Sequence, residues 1–299
     1  MSRPAEPARR QRVGFLGPAG TFSEEALLSS AVPEAVEAVP LASIYEAVTA
    51  LREGRVELAI VPIENSLEGS INVTLDLLAE HAGALQIVGE ALLGVHHCLI
   101  GAGELPLDGI ATVVSHPQVP GQCTRFLREE LARAAIRPAA STAEAVRSVV
   151  TAADPKVAAL GTALAAEIYG GTVLRRDVED RSDNETRFVW LARADEDGLE
   201  LPLREHEGAA RRCSLVFWGP GAEHPGWLVR CLSEFAERDI NLTKIESRPR
   251  REALGSYMFF ADLDAGGEDA ALEAALEGLR SICDEVRVLG SYAAGRPAS

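Results

Sequence analysis

Long apolar runs are absent from this sequence of 299 residues, although 47% of its residues are hydrophobic. No segment offers the roughly 18 uninterrupted apolar residues that a membrane-spanning helix requires. The N-terminal segment MSRPAEPARRQR carries basic residues, but no apolar stretch follows them as it would in a secretion signal. We therefore expect a short disordered leader and no membrane partner.

Cysteine is scarce and scattered. The five cysteines are odd in number and never form a C-x-x-C pair, so the sequence predicts neither a disulfide framework nor a zinc site. Free thiols fit a reducing compartment. We expect the protein to be cytoplasmic.

Positive charge is also in short supply. Lysine and arginine number 29 against 45 acidic residues, which gives a formal net charge of -16. Nucleic acids and anionic membranes require clustered basic residues, so neither is expected as a partner. Any anionic ligand must be met by local hydrogen-bond donors.

The common catalytic and nucleotide-binding motifs are missing. The sequence contains no P-loop, no G-x-G-x-x-G, no H-E-x-x-H and no G-x-S-x-G. His96 and His97 lie in an apolar, strand-like run without ligand partners at a defined spacing. We expect no metal ion and no nucleotide cofactor.

What the chain does contain is a repeated order of apolar strand, polar loop and helix, beginning at Val13. The stretches VGFLG, VELAIVPIEN, IATVVSHP and KVAALG read as strands, and a helical pattern follows each of them. This alternation predicts an α/β fold with a parallel or mixed sheet. The length also exceeds what one hydrophobic core usually supports, so two or more domains are expected.

Polar clusters follow the predicted strands, where ligands bind in such sheets. They are Gly20-Thr21 with Ser23, Glu64-Asn65-Ser66, Ser115 with Gln118 and Gln122, and Gly161-Thr162. Neighbouring helix N-termini supply backbone N–H groups for an anion. Taken singly, each cluster also has a structural interpretation: Thr21 as a helix cap with Glu24 in a capping box, Asn65 and Ser66 as caps of the next helix, and Ser115-His116-Pro117 as a turn.

The last third of the chain follows a different order. Residues 192–212 are polar and without sustained period, which predicts a linker. After it come strand, helix, two strands, helix and strand in about 80 residues. That order predicts a separate ferredoxin-like domain (βαββαβ).

Five sequence elements occur in order: GPAGTFSEEA, VPIENSLEGS, SHPQ, DNETRF and NLTKIESRP. Together they resemble the monofunctional bacterial prephenate dehydratases. The resemblance implies a two-lobed catalytic region like the type 2 periplasmic binding proteins at residues 12–195. Lobe 1 would comprise about 12–90 and 176–195, and lobe 2 about 91–175, with an ACT regulatory domain at 212–293.

The implied reaction is decarboxylation and dehydration of prephenate to phenylpyruvate, in phenylalanine biosynthesis, without a cofactor. By resemblance, Thr186 donates a hydrogen bond to the departing hydroxyl. The other implied catalytic residues are Glu64, Asn65, Ser115 and Gln122, and the implied substrate-binding residues are Thr21, Ser66, Gln118, Arg187 and Phe188. Arg187 is equally well interpreted as a structural ion pair, and Phe188 as a core residue.

The resemblance also implies feedback inhibition by L-phenylalanine at a subunit interface of a homodimer or homotetramer. The implied effector-binding residues are Gly226, Trp227, Leu228, Val229, Asn241, Leu242, Glu246, Ser247, Arg248 and Pro249. The family usually has a small residue at the position of Trp227. An indole there could fill or reshape the effector pocket, so tyrosine, another amino acid or no effector are alternatives to phenylalanine. If the indole obstructs the site, Trp227→Ala is expected to tighten phenylalanine binding.

Three alternatives remain at this stage. An arogenate dehydratase would perform the same chemistry on the amino acid. A solute-binding protein could use the same two lobes, and a purely regulatory ACT protein could carry a degenerate catalytic half.

Overall fold

The structure is a computed structural model that describes residues 9–196, 199–204, 209–221, 224–266 and 269–295. Most of the predicted leader, residues 1–8, lies outside these ranges. The elements follow one another as β1 (Gln11–Leu16), α1 (Phe22–Ser30), β2 (Val36–Leu41), α2 (Ile44–Arg52), β3 (Leu58–Asn65), β4 (Gly69–Ser70), α3 (Asn72–Glu80), β5 (Leu85–Gly94), β6 (Cys98–Gly101), β7 (Thr112–Ser115), α4 (Val119–Gln122), α5 (Thr124–Glu130), β8 (Ala135–Pro138), α6 (Thr142–Ala152), β9 (Val157–Gly161), α7 (Ala163–Tyr169), β10 (Thr172–Arg175), β11 (Glu185–Arg193), β12 (Arg211–Trp218), α8 (Trp227–Ala236), β13 (Leu242–Pro249), β14 (Tyr257–Leu263), α9 (Ala270–Ile282) and β15 (Glu285–Ala293).

The first sheet is mixed, in the order β2-β1-β3-β11-β5, with β4 paired to β3. Strands β1, β2 and β3 run parallel, so the ends of β1 and β3 meet at one edge of the sheet. Strand β11 runs antiparallel between β3 and β5. The start of β11 therefore lies at the same edge as the end of β3, which is where a chain returning from the second sheet enters.

The second sheet has the order β10-β6-β9-β7-β8 and is drawn entirely from residues 98–175. Helix α6 begins at Ser141, whose side chain accepts from the backbone N–H of Glu144. Strand β8 is exposed throughout and pairs in parallel with β7. It is only four residues long and none of them is buried, which explains why the sequence does not predict it.

The third sheet has the order β13-β14-β12-β15 and belongs to a βαββαβ unit. Its strands are antiparallel neighbours. One face packs on α8 and α9, and the other contributes Val216, Met258 and Phe260 to a core shared with the first sheet and its helices. The predicted α/β class, with two lobes and a ferredoxin-like domain, is confirmed.

Several local predictions need correction. Thr21 does precede α1, but its hydroxyl donates to the carbonyl of Leu16 (2.9 Å) and caps no helix N–H group. Glu24 accepts from the backbone N–H of Gly20, so the predicted capping box does not form. Asn65 and Ser66 do not cap α3, because the helix starts one turn later, after Ile71. The chain needs that turn to reverse direction through β4.

The predicted linker, residues 192–212, is partly packed against the first sheet. Strand β11 extends into it as far as Arg193, and Leu199, Leu201 and Leu203 pack against the core of the first sheet. The backbone N–H of Val32 also donates to the carbonyl of Pro202 (2.8 Å). Residues 197–198 and 205–208 of this segment are outside the described ranges. Within those ranges, no helix is long and apolar enough to cross a membrane.

Candidate active site

A cleft of about 1150 Å³ lies between the first and second sheets. Loops at the ends of β1 and β3 line it from one side, and residues that follow β7 and β8 line it from the other. The first turns of α1 and α6 also face it, through Thr21, Ser23, Ser141 and Thr142. Parallel strands place their carboxyl ends at one edge, so the predicted polar clusters converge here.

Strand β11 supplies Thr186 and Phe188 to this cleft. The two residues are two positions apart and share a face of the strand, because side chains alternate along β structure. Thr186 is the partner of Asn65 in the register of β11 with β3. Phe188 is 1% exposed and belongs to the core of the first sheet, so it forms part of the wall of the cleft.

Asn65 fixes the hydroxyl of Thr186. The side-chain oxygen of Asn65 accepts from the backbone N–H groups of Leu67 and Glu68, both at 2.9 Å. The amide nitrogen is therefore turned toward β11, where it donates to Oγ1 of Thr186 (2.9 Å) and to Oδ1 of Asn184 (2.9 Å). With a lone pair of Oγ1 engaged, the proton of the Thr186 hydroxyl is available to a ligand in the cleft.

A second set of contacts continues from Asn184. Its Nδ2 lies 3.4 Å from Oε1 of Gln122, and the same oxygen is 3.0 Å from Nε2 of His97. Burial of His97 lowers the pKa of its imidazole, although the contact with Gln122 opposes this. A neutral imidazole that carries its proton on Nε2 would donate to Gln122 and orient that side chain.

The two lobes touch directly beside the cleft. Thr162 donates to the carbonyl of Gly20 (2.7 Å), and the hydroxyl of Tyr169 donates to the carbonyl of Ala19 (2.8 Å). Gly20 has φ of +84° and packs against Ala165 of α7 so closely that a Cβ atom would lie 2.8 Å from its Cα. The loop after β1 is thus latched onto the second lobe.

Six of the ten predicted catalytic and substrate-binding residues line the cleft: Thr21, Asn65, Gln118, Gln122, Thr186 and Phe188. Ser66 lies just outside and accepts from the backbone N–H of Glu185 (3.0 Å), which joins the end of β3 to the start of β11. Ser115 is fully buried at the end of β7, and its hydroxyl has no hydrogen-bond partner among the described residues.

Glu64 and Arg187 are not brought to the cleft. Both lie on the opposite face of their strands, as alternation requires, and turn toward the βαββαβ domain. Arg187 is 2.6 Å from Asp262 of β14 and 3.5 Å from Glu64, while Glu64 is 3.0 Å from Lys244 of β13. The structural ion pair, not substrate binding, is the interpretation that the geometry of Arg187 supports.

Among the cleft residues that the sequence analysis did not assign to the site are His97, Asn184 and Arg147. The spacing of Asn184 offered a signal, since it lies in the polar loop directly before β11 and precedes Thr186 by two positions. His97 gave none, because only the fold places it beside Gln122. Arg147 lies one turn into α6 and forms an ion pair with Glu144 (2.5 Å).

A small acidic group near the cleft could hold a cation. Nδ1 of His96 is 2.9 Å from Glu179 and 3.7 Å from Asp177. The three ligand atoms lie within 4.8 Å of one another. Glu179 already accepts from the backbone N–H of His97 (2.9 Å). Hydrogen bonds and ion pairs among these groups therefore account for the arrangement without an ion.

A second cavity of about 560 Å³ lies in the βαββαβ domain beside the start of α8. Of the predicted effector-binding residues, Gly226, Trp227, Leu228 and Val229 line it, and Asn241, Leu242, Glu246, Ser247, Arg248 and Pro249 do not. Arg248 instead binds Asp76 of α3 with two nitrogen–oxygen contacts of 3.0 Å. Within one chain, the two halves of the predicted effector site are therefore separate.

Trp227 forms the floor of this cavity without filling it. The indole is 3% exposed, lies in the domain core, and donates from Nε1 to the carbonyl of Ile282 (2.7 Å). Gly219 and Gly221 make room for it, since a Cβ atom on either would lie within 2.7 Å of the ring. The buried indole favours a wall of the cavity over the expected obstruction, which stays a prediction for a binding measurement.

Two α/β lobes around a cleft of hydrogen-bond donors, with a ferredoxin-like domain attached, define a protein that binds a small polar ligand between its lobes. Comparison with known proteins makes this specific. A sequence model described as prephenate dehydratase matches residues 13–196. The chain belongs to the prephenate dehydratase family.

Individual relatives cover nearly the whole chain. It is 40% identical to the prephenate dehydratase of Mycobacterium sp. (strain JLS), over 96% of this chain and 90% of that protein. Identity to arogenate dehydratase 2 of Petunia hybrida is 37%, over 98% of this chain and 74% of the relative. The crystal structure of the Arthrobacter aurescens prephenate dehydratase in complex with L-Phe matches with a TM-score of 0.82 and 36% identity, covering 94% of this chain and 90% of that one.

Proposed function

We propose that this protein converts prephenate to phenylpyruvate, carbon dioxide and water, in the biosynthesis of phenylalanine. The observation that carries the proposal is the hydroxyl of Thr186, held at the cleft by Asn65 with its proton free to donate. We assign the reaction to residues 12–195, with lobe 1 at about 12–90 and 176–195 and lobe 2 at about 91–175.

The chemistry suits a site of fixed donors. The bond from the ring to one carboxylate breaks and releases CO2, and its electron pair moves into the ring. The ring carbon–oxygen bond breaks at the same time, and the departing hydroxide takes up a proton from solvent to leave as water. Aromatisation drives the reaction, so the protein must position the dianion and stabilise the departing oxygen. Thr186 donates to that oxygen. Since a threonine hydroxyl is a weak acid, its contribution is charge stabilisation and orientation.

The carboxylates of the substrate need partners in an acidic protein. The first turns of α1 and α6 present the positive ends of two helix dipoles to the cleft. Arg147 of α6 stands beside them and supplies a mobile positive charge, because its side chain is about half exposed. Gln118 and Gln122 complete the set of neutral donors from the second lobe.

Regulation is assigned to residues 212–293 as an ACT domain. The cavity beside α8 has room for an amino acid, and the L-Phe complex of the Arthrobacter relative identifies a ligand of that class. We propose L-phenylalanine as the inhibitor. Because the predicted effector residues fall into two separate groups in one chain, a homodimer or homotetramer would join the groups of neighbouring subunits. We also propose that the protein is cytoplasmic.

The test is phenylpyruvate formation from prephenate by the purified full chain. Thr186→Val removes the hydroxyl at nearly constant volume, and Thr186→Ser keeps the hydroxyl as the matched control. We expect kcat to fall by about 10²–10³ in the valine variant and to be largely retained in the serine variant. Wild-type protein without turnover on prephenate would reject the proposal.

Arogenate dehydration is the second candidate, favoured by the similarity to the Petunia enzyme. The two substrates differ only in the side chain, which is a keto acid in prephenate and an amino acid in arogenate. Measuring kcat/KM for both substrates with one preparation separates them. A higher value for arogenate would transfer the proposed mechanism to that substrate without changing the role of Thr186.

A further inference from the structure

Arg187 and Asp262 form a buried ion pair between the first lobe and the βαββαβ domain. The guanidinium lies 2.6 Å from the carboxylate, and both side chains are at most 10% exposed. Burial lowers the pKa of Arg187, but attraction to Asp262 and Glu90 outweighs it and raises the pKa overall. The guanidinium therefore stays charged, and removing its partner would leave an uncompensated charge in the interior.

Each partner is held by its own domain. Asp262 accepts from Ser214 of β12 (2.5 Å), and the hydroxyl of Ser214 is 2.7 Å from that of Tyr292 on β15. Arg187 is 3.3 Å from Glu90 of the neighbouring strand β5. Glu90 in turn accepts from Arg212 at the start of β12 (2.8 Å). Each side chain of the ion pair is therefore held in place by a neighbouring strand of its own domain.

Strand β14 connects this contact to the second cavity. Tyr257 and Phe259 line the cavity, and Asp262 lies farther along the same strand. Alternation places Phe259 toward α8 and α9 and places Phe260 and Asp262 toward the first lobe. A displacement of β14 at the cavity would therefore also displace Asp262, because the two positions are a few residues apart in a strand that is hydrogen-bonded on both sides.

On the other side, Arg187 directly follows Thr186 in β11. We propose that Asp262, acting through Arg187, is a positioning residue for Thr186, and that this ion pair transmits the state of the second cavity to the catalytic strand. The inference rests on the proposed function for its catalytic meaning. Its structural content, that Asp262 orders the start of β11, is independent of substrate.

The test uses Asp262→Asn in the full chain, which removes the charge at constant shape. We expect kcat to fall about tenfold or more with KM within about threefold, because the interaction lost acts on the departing hydroxyl and not on substrate binding. L-Phe, still bound with its wild-type calorimetric affinity, should inhibit the variant less than the wild type. Amide hydrogen exchange in a peptide spanning residues 183–188 should accelerate.

Asp76→Asn is the matched control. It removes the ion pairs of Asp76 with Arg248 and Arg251, which join the same two domains on α3 and not on β11. We expect basal kcat and exchange at residues 183–188 to stay within about twofold of wild type. An equal fall of kcat in both variants would overturn the proposal, because it would show a general loosening of the interface.

Ser214→Ala provides a milder variant if Asp262→Asn does not fold. It removes one hydrogen bond from Asp262 and keeps the ion pair, so a smaller change in the same direction is expected. Unchanged exchange at residues 183–188 in folded variants overturns the proposal. Exchange needs no substrate, so a failure of the proposed function would appear separately, as absent turnover by the wild type.

Discussion

Nδ2 of Asn65 donates to Oγ1 of Thr186 across 2.9 Å and thereby joins the end of β3 to the start of β11. Two backbone N–H groups on the other side of Asn65 fix which atom of its amide faces the threonine. The direction of this bond decides where the proton of Thr186 points. Asn65 therefore sets the direction in which the Thr186 hydroxyl donates, in addition to lining the cleft.

Asn65→Asp tests that direction. The carboxylate can keep both bonds from Leu67 and Glu68, but it offers Thr186 an acceptor in place of a donor. The hydroxyl then donates to residue 65 and turns its proton away from the substrate, so we expect kcat to fall by about 10²-fold. Steady-state kinetics on prephenate measure it, and circular dichroism checks folding. A variant with wild-type kcat would contradict this account of the site.

The buried imidazole of His97 predicts a pH dependence of stability. Its pKa is lowered by burial, so below the unfolded-state value of about 6.5 the unfolded chain binds more protons than the folded one. Stability is therefore lost as the pH falls from about 7 toward 5. His97→Gln removes this titration and retains a donor toward Gln122, so its stability should change less over that range.

Urea denaturation at several pH values measures the difference between the two proteins. His81→Gln is the control, because the pKa of His81 is also lowered by burial and it lies away from the cleft. Each variant should flatten the curve only by its own contribution, at most about 1.4 kcal/mol per pH unit for one proton. Parallel curves for wild type and His97→Gln would reject a buried neutral imidazole.

Two features could be predicted from the sequence. The order of elements in the βαββαβ domain follows from hydrophobic periodicity, and the convergence of the polar clusters follows from the common direction of parallel strands. Thr186 was also predicted on a strand boundary, where the structure puts it. The orientation of Arg187 could have been inferred, since it alternates with Thr186 and Phe188. What could not be inferred was its partner, because Asp262 is 75 residues away in another domain.

The missed features share a physical cause. His97 meets Gln122, and Leu203 meets the first core, only after the chain has folded, and neither contact has a local signature. Strand β8 is four residues long, has no buried face and forms by pairing with β7. Trp227 was expected to obstruct its pocket, because Gly219 and Gly221, which make room for the ring, are recognisable as spacers only in three dimensions.

Gly20→Ala tests the latch between the lobes. The new methyl group would meet Ala165 at 2.8–2.9 Å and would also occupy a left-handed backbone conformation. We expect a loss of about 1–3 kcal/mol in the free energy of unfolding and a higher KM, because the lobes close less well. Chemical denaturation and steady-state kinetics give the two values.

Gly170→Ala is the control for that variant. Gly170 has φ of +76° at the end of α7, but nothing lies within 4 Å of its added Cβ. It therefore reports the backbone strain alone, expected to cost about 1 kcal/mol with KM unchanged. Equal effects of the two substitutions would show that the contact of Gly20 with Ala165 does not hold the lobes together.

Trp227→Ala tests the indole as a core residue. Its ring packs near Phe217 and Phe259, with centroids 6.1 and 5.9 Å away, and its N–H satisfies the carbonyl of Ile282. Removing it should destabilise the chain by about 3–5 kcal/mol. It should also weaken phenylalanine binding, because the floor of the cavity is lost. Trp218→Ala is the comparison: it removes a ring that lies under Arg250 and Arg287, and it should cost about 1–2 kcal/mol. Denaturation and calorimetry decide: tighter phenylalanine binding by Trp227→Ala would restore the view of the indole as an obstruction in the effector pocket.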